Sequence, residues 1–185
     1  KPEYLDTLRR AGVNWLGLGI ENPNQVLRQE IHKDRFKEVK ITDIINEVRK
    51  SGINVAANYI FGLPMDTEES MQETYDFAVE NMTEMVNLYC AMAYPGSPLH
   101  LIARNKGWEL PNTYSGYSQH SYDTLNLAND VLEAKQILQF RDNAWMEYHT
   151  NEKYLNLLES KFGTKSRENV ENTSKIKLKR KLLGD

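Results

Sequence analysis

Apolar positions along the first hundred residues switch repeatedly between two rhythms. Tyr4, Leu5 and Leu8 recur at helical spacing over Pro2 to Ala11, and Gly12 stands where a left-handed residue ends a helix. VNWLGLGIE, residues 13–21, follows as an almost unbroken apolar run, which predicts a strand covered on both faces as parallel strands are. Its end runs into Asn22-Pro23-Asn24-Gln25, a helix start with Asn22 as N-cap, Pro23 as first helical residue and Gln25 as reciprocal partner. Ile41, Ile44, Ile45 and Val48 form the next helical stripe, closed by Gly52, and INVAANYIF, residues 53–61, reads as the second strand. Asp66 with Glu69 makes a capping-box pattern ahead of Met71, Tyr75, Ala78 and Met82. The third strand is MVNLYCAMAY, residues 85–94, stopped by Pro95-Gly96-Ser97-Pro98, with Ser97 as N-cap of a helix toward Gly107.

Strand ends recur about every 30 to 40 residues, the length of a βαβ unit. The fold class is therefore α/β, a parallel sheet or barrel arc over residues 1–108. Asn14 to Ile20, Asn54 to Phe61 and Val86 to Ala93 are expected as parallel neighbours in chain order, with helices on one side. Beyond Trp108 the rhythm stops. NTYSGYSQHSYD, residues 112–123, is a polar, tyrosine-rich loop, and helical segments over 128–149, 152–162 and 167–183 make residues 109–185 a helical C-terminal extension.

Composition narrows the class without naming a function. A chain of 185 residues, 40% hydrophobic and 26% charged, supports a sizeable core and excludes a disordered or fibrous class. The net charge of −3 gives no global reason to bind nucleic acid or an anionic membrane. No apolar run nears the ~20 residues that cross a bilayer, and no signal-peptide core opens the chain, so the reading is cytoplasmic with no membrane partner. The opening on Lys1, with a helix already under way, is what a piece of a longer protein would show. The single cysteine, Cys90, excludes a disulfide framework and any site needing several thiolates from this chain; inside a strand it reads as a small buried apolar residue. His32, His100, His120 and His149 have no metal-ligand spacing. The tail KIKLKRKLL reads as a solvated helix end rather than a nucleic-acid patch.

In parallel α/β folds chemistry collects at the carboxyl ends of the strands. Glu21 ends the first; a carboxylate there accepts both hydrogen bonds of a ribose diol, or else meets backbone N–H groups opening the next helix. Gly62 follows the second and, lacking Cβ, leaves room for a flat group, although with Pro64 it also suits a simple turn. Tyr94 closes the third. A carboxylate and a glycine opening on successive strands suit a nucleoside.

These residues carry a resemblance. WLGLGIEN, NYIFGLPMDTEESMQETYDFA and NLYCAMAYPGSPLH, in that order and at fitting separations, resemble the second half of a radical S-adenosylmethionine (radical SAM) core, last three strands of a six-stranded partial barrel. The likeness is to the subset that often carries an N-terminal cobalamin-binding domain, and LPNTYSGYSQHSYD with FRDNAWMEYHTNEKYLNLLESKFG resembles that subset's C-terminal extension. The resemblance implies that Glu21 holds the place of the polar residue bonding the ribose of S-adenosylmethionine. On the fifth-strand pattern G-x-I-x-G-x-x-G-E, Ile60 and Gly62 match, while Asn58, Met65 and Asp66 replace the first glycine, the last glycine and the glutamate. The sixth strand offers backbone groups to adenine, which implies Cys90 to Tyr94. Tyr117, Gln119 and His120 become candidates for covering the site and touching substrate.

The family's C-x-x-x-C-x-x-C loop, which holds a 4Fe-4S cluster, does not occur in this sequence, so the ligands of that cluster and the missing N-terminal half are expected outside it. The implied intact enzyme takes an electron from a donor such as flavodoxin or ferredoxin and cleaves S-adenosylmethionine reductively. A 5′-deoxyadenosyl radical then acts on a small-molecule substrate, with cobalamin-dependent methyl transfer or rearrangement among the outcomes; the present chain alone would be inactive. The alternative is a non-catalytic, α/β-barrel-derived interaction module.

Overall fold

The computed structural model describes residues 2–24 and 40–185. Gln25 and His32 lie outside the described residues. The chain forms two compact units, each drawn from two stretches: Lys1–Tyr59 with Gln72–Asn87, and Ile60–Met71 with Leu88–Asp185. In chain order the first elements are α1 (Pro2–Arg10), β1 (Trp15–Glu21), α2 (Ile41–Lys50), β2 (Asn54–Phe61), α3 (Glu68–Glu80) and β3 (Met85–Cys90). The strands form a three-stranded parallel sheet ordered β1-β2-β3, as their spacing predicts. β1 and β2 pair in parallel from Trp15 opposite Asn54 to Gly19 opposite Asn58.

Within the first unit, Gly12 and Gly52 adopt the left-handed conformation where α1 and α2 end (φ 93° and 79°). Ile45 and Val48 of α2, Tyr75 and Ala78 of α3, and Val55, Ala57 and Tyr59 of β2 are buried together with Val86. Tyr59 meets the edge of Phe77, which puts α3 against this face of the sheet. Glu84, just before β3, is buried because its carboxylate is fully used: Arg49 Nε and Val55 N–H each donate to it at 2.9 Å.

β1 departs from expectation. Trp15, Gly17 and Gly19 are exposed while Ile20 and Glu21 are buried, so the strand is covered on one face only. Two glycines add no side chain to the open face, and the neighbouring positions on it carry the polar Asn58 and Asn87.

The second unit contains α4 (Pro98–Lys106), a short 3-10 turn (Ser115–Tyr117), α5 (Ala134–His149), α6 (Glu152–Phe162), α7 (Thr164–Ser174) and a second 3-10 turn (Lys181–Leu183). α4 has the expected caps: Ser97 Oγ accepts from His100 N–H, Pro98 opens the helix and Gly107 closes it at φ 69°. The box opening α3 lies one residue later than expected, between Thr67 and Ser70, each N–H donating to the other's hydroxyl (3.0 and 3.2 Å). α5 starts at Ala134 rather than near 128, because Asn129 folds the preceding residues into a turn. Its Nδ2 donates to the carbonyls of Leu63 and Asp66, and its Oδ1 accepts from Val131 and Leu132.

β3 stops at Cys90 rather than continuing to Tyr94. Ala91 N–H still donates to Phe61 C=O (2.8 Å), but Ala91 C=O accepts from Leu127 N–H (3.0 Å), so the chain leaves the sheet to pair with the segment that follows the tyrosine-rich loop. The final helical segment also ends early, at Ser174. Residues 176–180 are irregular, and Arg180, far from capping a solvated helix, is fully buried. Among the described residues no helix is long and apolar enough to cross a membrane.

Candidate functional site at the strand ends

In the first unit β1 ends in an irregularity. The register shifts between Gly19 and Glu21, so two β1 residues stand opposite Tyr59, a bulge of the kind that re-aims side chains beside functional sites. Asn22 N–H then donates to Ile20 C=O at 2.8 Å across Glu21, whose φ is 63°. This three-residue turn with a positive central φ is rare and strained, and Glu21 is the one non-glycine residue with positive φ among the described residues. Asn22 is buried, and its Oδ1 accepts from Asn24 N–H (2.8 Å), closing a further turn. Asn58, on the half-open face of β2, spans the sheet: Nδ2 donates to Leu18 C=O (3.3 Å) and Oδ1 accepts from Asn87 Nδ2 (2.8 Å).

In the second unit β2 gives way to Gly62 at φ 78°. The space a flat group was expected to use beside Gly62 is taken by Ile137 of α5; an added Cβ would lie 2.6 Å from Ile137 Cγ2. The missing side chain therefore admits α5. Ile60 is half-buried at the end of β2. Asp66 is buried under this turn, where its Oδ2 accepts from Leu63 N–H (2.9 Å) and its Oδ1 from Ser70 Oγ (2.6 Å). Burial outweighs these hydrogen bonds and raises its carboxyl above the usual range.

The end of β3 carries the densest polar network. Gln119 clamps the Cys90 peptide, its Oε1 accepting from Cys90 N–H (3.1 Å) and its Nε2 donating to Cys90 C=O (2.9 Å). Burial pushes the Cys90 thiol up to about 11, opposed in part by the nearby Arg141 guanidinium, so it is an inert thiol at neutral pH. Met92 and Ala93 are buried, yet among the described residues their N–H and C=O groups make no hydrogen bond. Tyr94 is half-exposed and stacks on Tyr117 with ring centroids 5.8 Å apart. Three buried polar atoms of the same unit, Thr124 Oγ1, Asn126 Oδ1 and Arg141 Nε, also have no partner among the described residues. His120 is held below its ordinary range by partial burial and by the charges of Arg141 and Arg180.

The predicted residues thus divide. Glu21 and Asn58 belong to the first unit; Ile60, Gly62, Tyr94, Tyr117, Gln119 and His120 belong to the second, where Tyr94, Tyr117 and Gln119 gather at the end of β3. Sequence reasoning missed Asn87, Arg141, Asp142 and Arg180. Asn87 had a signal, since asparagine inside a strand is disfavoured unless its amide is used. Among the described residues no group of three or more His, Cys, Asp or Glu could hold a metal ion.

The model of the Radical SAM superfamily matches residues 1–78. Bacteriochlorophyllide d C-12(1)-methyltransferase of Chlorobaculum tepidum is 26% identical over 118 residues, covering 62% of this chain and 26% of the relative. Hopanoid C-2 methylase of Rhodopseudomonas palustris is 28% identical over 99 residues, 54% of this chain and 19% of the relative. Escherichia coli coproporphyrinogen III oxidase, a solved structure, superposes with a TM-score of 0.47 at 19% identity over 62% of this chain and 34% of that one. The chain spans about a quarter or less of the two methylating relatives.

Proposed function

We propose, from the premise that this chain belongs to the radical SAM superfamily, that its strand ends hold the adenosine portion of S-adenosylmethionine within a longer enzyme. The observation that carries this reading is Met92–Ala93. Buried backbone groups are nearly always paired, and two consecutive buried residues just beyond edge strand β3, without backbone partners among the described residues, supply the alternating donors and acceptors that a purine edge needs. Thr124 Oγ1 and Asn126 Oδ1, also without partners among the described residues, add polar groups to the same unit. Tyr94, half-exposed and stacked on Tyr117, offers a ring face beside that backbone. In the first unit, taken by itself, Glu21 is proposed as a ribose-bonding carboxylate, a role that its strained backbone supports.

The residues present suit the adenosine but not the iron–sulfur cluster. One cysteine, buried with its peptide clamped and its thiol pushed up to about 11, supplies no set of cluster ligands, so those belong to the rest of the longer protein. Held by ligands elsewhere in the longer protein, such a cluster would supply the electron for S-adenosylmethionine cleavage, drawn from a soluble donor in the cytoplasm. This chain's part is to fix the adenosine whose 5′ carbon becomes the radical. The methylating relatives favour methyl transfer to a small molecule, with cobalamin on another domain as the methyl carrier.

The test is amide hydrogen exchange in the intact protein with and without S-adenosylhomocysteine. Exchange in the peptide covering Met92 to Tyr94 slows on addition, because its free N–H groups acquire an acceptor. Unchanged exchange there, with saturable binding measured in parallel, would return this stretch to a structural role.

A further inference from the structure

Gln119 does for the Cys90 peptide what a neighbouring strand would do, pairing with both its N–H and its C=O. A glutamine side chain is flexible and holds such a pairing only where its own backbone is fixed. Two guanidinium groups fix it. Gln119 C=O accepts from Arg141 Nη2 at 2.7 Å and from Arg180 Nη1 at 3.0 Å. Arg180 Nη1 also donates to Ser121 C=O at 3.2 Å. The rest of the Arg180 fork grips Asp142, Nε to Oδ2 at 2.9 Å and Nη2 to Oδ1 at 3.2 Å. The next residues lace the same loop, Lys181 N–H donating to Tyr122 C=O at 2.8 Å.

The charges in this cluster do not balance. Arg141 Nη1 pairs with Asp142 Oδ1 at 2.9 Å, so two buried guanidinium groups share one carboxylate. Withdrawing Arg180 leaves Arg141 and Asp142 as a neutral pair, which the interior tolerates. The carbonyls of Gln119 and Ser121 would lose donors, and the loop would lose its hold on Cys90. Arg180 is thus not needed to neutralise the core; what it holds is the loop.

We infer that Arg180 is a positioning residue for the cofactor: docking of the C-terminal tail, relayed through Gln119, sets the Cys90 to Tyr94 backbone for adenosine. The inference rests on the adenosine reading above and adds to it a dependence on a residue from the far end of the chain.

The experiment compares wild type with Arg180→Ala, Arg180→Lys, Gln119→Leu and Arg167→Ala in the intact, cluster-loaded protein. Arg167 ties α7 to α6 through Glu152 and Asn156 and reports general loosening of the helices. S-adenosylhomocysteine affinity is expected to fall about tenfold or more in both Arg180 variants and in Gln119→Leu, the scale of a lost charged hydrogen bond. Exchange at the Cys90 and Ala91 amides quickens in the same three, and Arg167→Ala leaves both readouts unchanged. Added guanidinium ion restores affinity to Arg180→Ala but not to Gln119→Leu, whose clamp is gone. Wild-type affinity and exchange in the Arg180 variants overturn the inference. A wild type that binds no S-adenosylhomocysteine overturns the adenosine reading instead, and the exchange comparison still decides whether the tail holds β3.

Discussion

Glu21 occupies a left-handed backbone conformation that costs an L-residue about 1–2 kcal/mol. A purely structural residue at that position would be better served by glycine. Glu21→Gly is therefore expected to keep the fold as stable or raise it by up to about 1 kcal/mol, while weakening S-adenosylmethionine binding by about 1.5–3 kcal/mol. Thermal unfolding and calorimetric titration read the two effects separately, and a stability loss with unchanged affinity would make Glu21 a structural residue. The sequence placed Glu21 at a strand end but not in a strained turn, because strain depends on the bulge that β2 imposes opposite Tyr59. Gly62 was legible as a residue needing freedom, yet its occupant, Ile137, comes from a helix far along the chain. Arg180 was read as part of a basic tail, since nothing local distinguishes a buried guanidinium from a solvated one; Asp142, 38 residues earlier, makes the difference.

Elements were more legible than their ends. Periodicity and glycine caps located α1, α2 and α4 because those signals are local. β3 and the last helix were drawn too long because a tertiary partner, rather than a breaker, ends each: Gln119 and Leu127 for β3, Arg180 and its contacts for the tail. The α5–α6 corner carries its own pH dependence. His149 is stacked on Trp145 and flanked by Tyr148 and Tyr154, its Nδ1 within 2.8 Å of Trp145 C=O. Burial lowers its pKa below 6.5, so the neutral ring is the folded form. The stability it contributes is complete above about pH 6.5 and is lost as pH falls through the depressed folded value. The melting temperature of wild type should therefore drop more steeply from pH 7 to pH 5 than that of His149→Phe; parallel profiles would show that His149 does not titrate with unfolding.

At the scale of the molecule, this chain carries a single cysteine, Cys90, where a 4Fe-4S cluster needs several thiolates. Expressed alone and reconstituted anaerobically with iron and sulfide, it should retain no stoichiometric 4Fe-4S cluster, by metal analysis and by visible absorption; one buried thiol cannot supply the ligands. The clamp on Cys90 also has a consequence in time. A ribosome adds roughly 5–20 residues per second, and about ninety residues separate Cys90 from Arg180, so for about 5 to 18 seconds each nascent chain carries a finished strand whose lock does not yet exist. During that interval the Cys90 peptide is open to any passing strand, and a chaperone acting on this protein would find its target there.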